Sequence, residues 1–256
     1  MNDDLYSKPR YYHLAFQEAY KYEKRTIKDC FSRHVSFPVK RVMEVACGTG
    51  RMLVALPPLG YHVTGYDLST EMVEYSIERT RKAELEESVI VVQGDMASIT
   101  FDDKFDAAIN LINSIGYLHS DEDILSHLRN TADALNSGGV YLVCLGCGDD
   151  EPGSGSWPIK GNNVKGTATW GVTKSDTEKK LSYQYFQMEV VDNSTEVSFR
   201  DEHILRLWSY DDFKRLVKES GRFVLEAIYD EGGKPVPPET NITSETGNLF
   251  YVLKVR

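Results

Sequence analysis

Between residues 39 and 145, short apolar runs alternate with longer segments of helical periodicity, and this alternation restricts the fold more than any other feature. Residues 39–46 are valine-rich and too short for a helix, so they read as a buried strand. A helical pattern runs from Arg51 to about residue 59 and stops near Gly60. Residues 61–66 form a second expected strand, and Ser69 is placed to cap a helix reaching to about residue 87. Residues 89–92 and 105–112 supply a third and a fourth strand. A helix over 121–135 ends before Asn136-Ser137-Gly138-Gly139, and 140–145 is a fifth strand. The expectation is an α/β fold: a doubly wound, mostly parallel sheet with helices on both faces and right-handed crossovers.

The flanks read differently. In residues 1–36, Tyr11, Tyr12, Phe16, Ala19 and Tyr20 recur at helical spacing until Phe37-Pro38 breaks the pattern. Residues 146–155 read as a loop of small and acidic residues, with Asp149-Asp150-Glu151 as a solvated turn. Three β-rich stretches follow, near 164–173, 181–192 and 195–207, separated by Lys174-Ser175-Asp176 and Asp192-Asn193-Ser194. In the middle stretch Leu181, Tyr183 and Tyr185 alternate with Ser182 and Gln184. This is the pattern of an inserted antiparallel meander. A helix over 210–220, capped by Ser209 and ended by Gly221, and strands near 223–229 and 248–254 close the chain. The expected division is a helical cap (1–36), a ligand-binding α/β domain (37–150 and 205–256) and the meander (151–204) as a lid.

The formal net charge of −10 argues against a nucleic-acid partner, which needs a basic face. The most apolar stretch, 140–145, is far too short to span a bilayer, and Met1-Asn2-Asp3-Asp4 does not begin like a secretory signal. Cys30, Cys47, Cys144 and Cys147 are too scattered for a disulfide framework, so a cytoplasmic location is expected. Cys144-Leu145-Gly146-Cys147 ends a strand and lacks further ligands at metal-binding spacing, so no metal site is expected.

The first crossover carries Glu44-Val45-Ala46-Cys47-Gly48-Thr49-Gly50. Glycines after a strand let a ligand approach the backbone at the carboxyl end of the sheet. A dinucleotide fingerprint beginning at Gly48 would require a third glycine where Leu53 stands, and no Gly-Lys-Ser/Thr phosphate loop is present. A nucleoside without phosphates fits better. Asp67 ends the second strand, 17 residues after Gly50, where a carboxylate can accept from ribose hydroxyls. Asp95 ends the third strand, placed to meet an adenine amino group.

These stretches, with Gly65-Tyr66-Asp67-Leu68-Ser69, Gln93-Gly94-Asp95-Met96 and Phe105-Asp106, resemble the class I S-adenosylmethionine-dependent methyltransferases. Asn113-Ser114-Ile115-Gly116-Tyr117-Leu118 resembles the small-molecule N-methyltransferase group among them. The resemblance covers roughly residues 11–145 and the order of elements after 205. It implies a Rossmann-like seven-stranded sheet and S-adenosyl-L-methionine as cofactor. It implies that Gly48 and Gly50, with Ala46 and Cys47 between the strand and the turn, approach the methionine part, with Glu44 orienting the loop. Ala46 stands where many members have glycine. Asp67 would hold the ribose, Leu68 and Met72 would lie against the adenine, and Asp95 and Met96 would frame its edge. Asn110 would pass near the sulfonium, and Tyr11 and Tyr22 would close over the cofactor. Met72 and the tyrosines have a plainer reading as packing residues.

Methyl transfer from a sulfonium is an in-line displacement that disperses charge, so the protein supplies position and a dry site. An amine needs only a free lone pair, whereas a hydroxyl would gain from a base. Tyr117 and His119 are the catalytic candidates, and His203 lies in the meander as a further histidine. The expected activity is methylation of a small molecule, at an amine nitrogen. A protein substrate, a non-catalytic binding module and a nicotinamide oxidoreductase are the rivals; the sequence does not settle the oligomeric state. A nucleic-acid amine methyltransferase would carry Asn/Asp-Pro-Pro-Tyr/Phe where Asn110-Leu111-Ile112-Asn113 stands.

Overall fold

The computed structural model describes residues 5–17, 20–148 and 151–256, without the side chains of 20–22. Within them, two sheets account for all the named strands. The larger has seven strands: β1 (Arg41–Val45), β2 (His62–Asp67), β3 (Val89–Gln93), β4 (Phe105–Asn110), β5 (Leu135–Gly146), β10 (Phe223–Tyr229) and β11 (Asn248–Val255), in the order β10-β11-β5-β4-β1-β2-β3. The pairs β3–β2, β2–β1, β1–β4 and β4–β5 are parallel, and β11 runs antiparallel between β5 and β10. Strand order reverses beside β1, which places the ligand crevice at the tips of β1, β2, β3 and β4.

Helices α3 (Arg51–Ala55), α4 (Thr70–Lys82), α5 (Asp121–Asp133) and α6 (Tyr210–Ser220) belong to the α/β part, and α1 (Pro9–Phe16) and α2 (Tyr20–His34) precede it. Serine caps start three of them: Ser69, Ser120 and Ser209 accept from the amides of Met72, Asp123 and Asp212. Both faces of the larger sheet are covered. Val45, Tyr141, Phe213 and Tyr251 pack on one side, and Ile27, Met52, Leu142 and Phe250 on the other.

The second sheet is a four-stranded antiparallel meander: β6 (Gly153–Gly161), β7 (Val164–Asp176), β8 (Leu181–Asp192) and β9 (Thr195–Arg206). Strand β6 occupies residues that read, in sequence, partly as loop, because its glycines and serines hide a strand pattern. At Asn193-Ser194 both residues have positive φ, as a tight two-residue hairpin requires. The chain leaves and re-enters the α/β part at one place, where Gly148 N donates to Trp208 O at 2.7 Å. Within β8 the alternation expected is present, and the buried face is the one that begins with Ser182 and Gln184. Ser182, Gln184, Phe186, Met188 and Val190 are buried, while Tyr183 and Tyr185 lie in the half-exposed set under Lys174 and Arg200. The buried polar pair is satisfied: Gln184 Nε2 donates to Ser182 Oγ (2.8 Å) and Trp170 Nε1 to Gln184 Oε1 (2.6 Å). Among the described residues no helix is long and apolar enough to cross a membrane.

Candidate active site

Three strand tips build one wall. After β1 the chain turns through Ala46, Gly48 and Gly50, all in the left-handed region (φ 52°, 52° and 69°). Tip-to-tip bonds hold this loop: Cys47 N donates to Tyr66 O, Gly48 N to Asp67 Oδ2 (2.7 Å), and Gly94 N to Asp67 O. Asp67 Oδ1 also accepts from Ser69 N (3.0 Å). Burial raises the Asp67 pKa, opposed by those backbone donors. A cavity of about 560 Å³ opens over these tips. Ala46, Gly48, Asp67, Leu68, Asp95, Met96 and Tyr117 line it, joined by Tyr6, Tyr12, Tyr66, Ser69, Thr70, Glu71, Gly94 and Ser114. Leu68 is 68% exposed, a bare apolar side chain at the cavity wall.

Other sequence candidates lie behind the wall. Met72 is fully buried under α4 as a packing residue. Cys47 and Glu44 are buried, and neither lines the cavity. Burial pushes Glu44 up to about 8, eased by Arg51 nearby, and its Oε2 has no hydrogen-bond partner among the described residues. Gly50 packs tightly, since a Cβ there would meet Ser76 Cβ at 2.9 Å. Asn110 braces the loop after β4: Oδ1 accepts from Ile115 N (3.0 Å) and Nδ2 donates to Val45 O (3.3 Å). Tyr11 faces the meander, where its hydroxyl donates to Asp192, and the Tyr22 side chain lies outside the described residues.

Tyr12 takes the place expected of Tyr11. Helical spacing sets Tyr12 and Phe16 on one face (ring centroids 4.7 Å apart) and turns Tyr11 toward Phe199. That i, i+4 aromatic pair was the available signal. Tyr6 sits outside any periodic segment and left no signal. His119 is exposed; its Nε2 donates to Ile204 O (2.8 Å), and it lines none of the cavities described here.

A second cavity of about 200 Å³ shares Tyr6, Tyr12, Ser114 and Tyr117 with the first. Phe16 from α1 and Trp157 and Trp170 from the meander complete its aromatic side, and Ile112, Asn113, Gln184, Leu205 and Asn248 the rest. Ile112 and Asn113 are both left-handed (φ 53° and 55°), strained backbone right after β4. Trp157, Trp170, Tyr183, Tyr185 and Phe186 are the meander aromatics that the sequence offers as lid lining or as meander core, and of these Trp157 and Trp170 reach this cavity. Phe186 is core, and Tyr183 and Tyr185 lie elsewhere. The four cysteines are free and buried.

Known proteins of similar sequence and shape agree with this geometry. Residues 42–139 match the family model described as a methyltransferase domain. A putative methyltransferase, YqeM, of Bacillus subtilis is 34% identical over 109 residues, 42% of this chain and 43% of that protein. The dTDP-3-amino-3,4,6-trideoxy-alpha-D-glucopyranose N,N-dimethyltransferase of Streptomyces venezuelae is 31% identical over 102 residues, 40% of each chain. The chain thus spans less than half the length of these curated relatives. In overall shape it is similar to a crystal structure of an S-adenosylmethionine-dependent methyltransferase from Clostridium acetobutylicum, with a TM-score of 0.73 and 20% identity over 96% of both chains. Residues 42–139 are thus similar to a methyltransferase domain, and the whole chain shares the fold of that crystal structure.

Proposed function

We propose that this chain is an S-adenosylmethionine-dependent methyltransferase acting on an amine nitrogen of a small molecule. The observation that carries this reading is the convergence of the β1, β2 and β3 tips on one cavity whose walls suit a phosphate-free nucleoside. Asp67 would take the ribose hydroxyls, Leu68 and Met96 the adenine faces, and Asp95 its edge. Gly48, without a Cβ, leaves room for the methionine part beside Tyr12. When bound, the cofactor supplies an electrophilic methyl carbon. The protein's own contribution is a dry second chamber that aligns the acceptor and excludes water.

The amine assignment draws on the name of the Streptomyces relative, an N,N-dimethyltransferase, and on the lining of the second cavity, which is uncharged among the described residues. The net charge of −10 favours a small molecule over a nucleic acid, and four buried free thiols suit a reducing cytoplasm. Calorimetry tests the core of the reading. S-adenosylmethionine and its demethylated form are expected to bind, NAD is not, and Asp67→Ala is expected to weaken binding by about 1–3 kcal/mol. A protein that ignores both sulfur nucleosides would end this assignment.

A further inference from the structure

Tyr6 and Tyr117 wall both cavities, and their hydroxyl oxygens lie 2.5 Å apart. From there contacts lead inward. Tyr117 Oη is 3.1 Å from His203 Nδ1, and His203 Nε2 is 3.4 Å from Asp201 Oδ2, at ion-pair geometry. Asp201 Oδ2 in turn accepts from Leu5 N at 2.8 Å. His203 is buried and stacks on Trp170, with centroids 5.2 Å apart and planes 10° from parallel. The titratable groups facing it among the described residues are Tyr6, Tyr117 and Asp201. Gln184 is its cross-strand neighbour on β8. A tyrosine that donates to Nδ1 leaves the ring hydrogen on Nε2, the nitrogen at ion-pair distance from the Asp201 carboxylate.

The second cavity adds the matching surface. Six aromatic rings, from Tyr6, Tyr12, Phe16, Tyr117, Trp157 and Trp170, surround a space whose lining, among the described residues, has no carboxylate. Ring faces attract an alkylammonium without needing an anion. An ammonium has no lone pair to attack with, however, so it must lose a proton before the methyl is transferred.

We propose that the acceptor enters as an alkylammonium ion and that Tyr117 passes its proton to His203, with Asp201 stabilising the imidazolium. This rests on the methyltransferase reading above. The N–H bond of the ammonium breaks and leaves its electron pair on nitrogen. That proton bonds to Tyr117 Oη as the tyrosine's own proton moves to His203 Nδ1. The freed lone pair forms the new N–C bond, and the electrons of the breaking C–S bond leave on sulfur. The proton on His203 returns to solvent when the products depart.

The test compares wild type with His203→Gln and the milder Asp201→Asn, using S-adenosylmethionine with a panel of primary alkylamines and, separately, aromatic amines. Formation of the demethylated cofactor is followed across pH. At pH 7.5 the His203→Gln rate on alkylamines is expected to fall by about 10²-fold, the lower range for general acid–base catalysis. The deficit should shrink as pH approaches the amine's own pKa, about 10.4 for a lysine-like amine. Aromatic amines, already neutral at pH 7.5, should lose little. Calorimetric affinity for S-adenosylmethionine should be unchanged in both variants. A loss equal for both amine classes at every pH, or no loss, overturns the relay and leaves the methyltransferase reading standing. So does a wild type that binds the cofactor and methylates no alkylamine. Failure of the wild type to bind the cofactor overturns both.

Discussion

Asp67 serves two backbone amides with one carboxylate, those of Gly48 and Ser69, so it shapes the glycine loop as well as facing the cavity. Its place at the end of β2 was legible because a strand ending in a carboxylate beside a glycine loop has few structural uses. Ala46 shows what sequence alone leaves open. It holds φ 52°, where an L side chain is strained. Ala46→Gly is therefore expected to stabilise the protein by about 0.5–1 kcal/mol. Gly50→Ala, left-handed and against Ser76, should cost about 1–3 kcal/mol; urea unfolding of both checks the pair. His127 braces the Met96 side of the larger cavity from behind. Its Nδ1 donates to Met96 O (2.9 Å), and Nε2 accepts from Tyr141 (2.8 Å). Burial lowers its pKa to about 4. The unfolded value is about 6.5, so between these values the unfolded chain binds the extra proton. The stability His127 confers is thus present above about pH 6.5 and lost as pH falls toward 4, a decline on the order of 3 kcal/mol. Unfolding curves from pH 7 to 4 should show that component vanish in His127→Gln.

At the scale of elements, α2 is tied to the start of α3 by a buried ion pair: Arg51 Nη1 donates to Glu23 Oε2 at 2.7 Å. Arg51→Ala strands Glu23 without a partner and should cost about 3–5 kcal/mol, whereas replacing both residues by apolar ones should cost far less. Thermal melts of the single and double variants separate these outcomes. The α/β elements were readable because their periods are enforced by burial on both faces, and α6 runs from Tyr210 to Ser220 as its serine cap and glycine stop implied. The meander was less so. Strand β8 opens with tyrosines on one face and a serine and glutamine on the other, while further along Phe186, Met188 and Val190 continue the serine and glutamine face into the core. Hydrogen bonding through Trp170 lets Gln184 join that buried face, and such a partner on another strand is invisible to a local pattern. Strand β6 was missed because its Gly-Ser-Gly-Ser start resembles linker.

Across the whole molecule, the two cavities meet at a seam between the α/β part, α1 and the meander. Trp157 pins α1 through its Nε1 bond to Ala15 O (2.8 Å), and Arg10 pairs with Asp192 at the end of β8. Trp157→Ala is expected to raise the KM for an amine acceptor about tenfold, near the worth of one desolvated cation–π contact, and to leave cofactor affinity unchanged. Steady-state kinetics beside calorimetry would check it. The wall of the larger cavity was largely legible because it lies at consecutive strand tips within one segment. The acceptor chamber was not, because Tyr6, Tyr117, Trp170 and His203 are assembled from distant stretches that no spacing rule connects. The shared tyrosine wall carries a consequence for ligand order. For a donor and an acceptor bound as proposed, whichever arrives first would finish the surface met by the second, which would link their affinities thermodynamically. The factor by which donor tightens acceptor must equal the factor by which acceptor tightens donor, which makes the partition between the chambers the place where cooperativity of substrate addition is set.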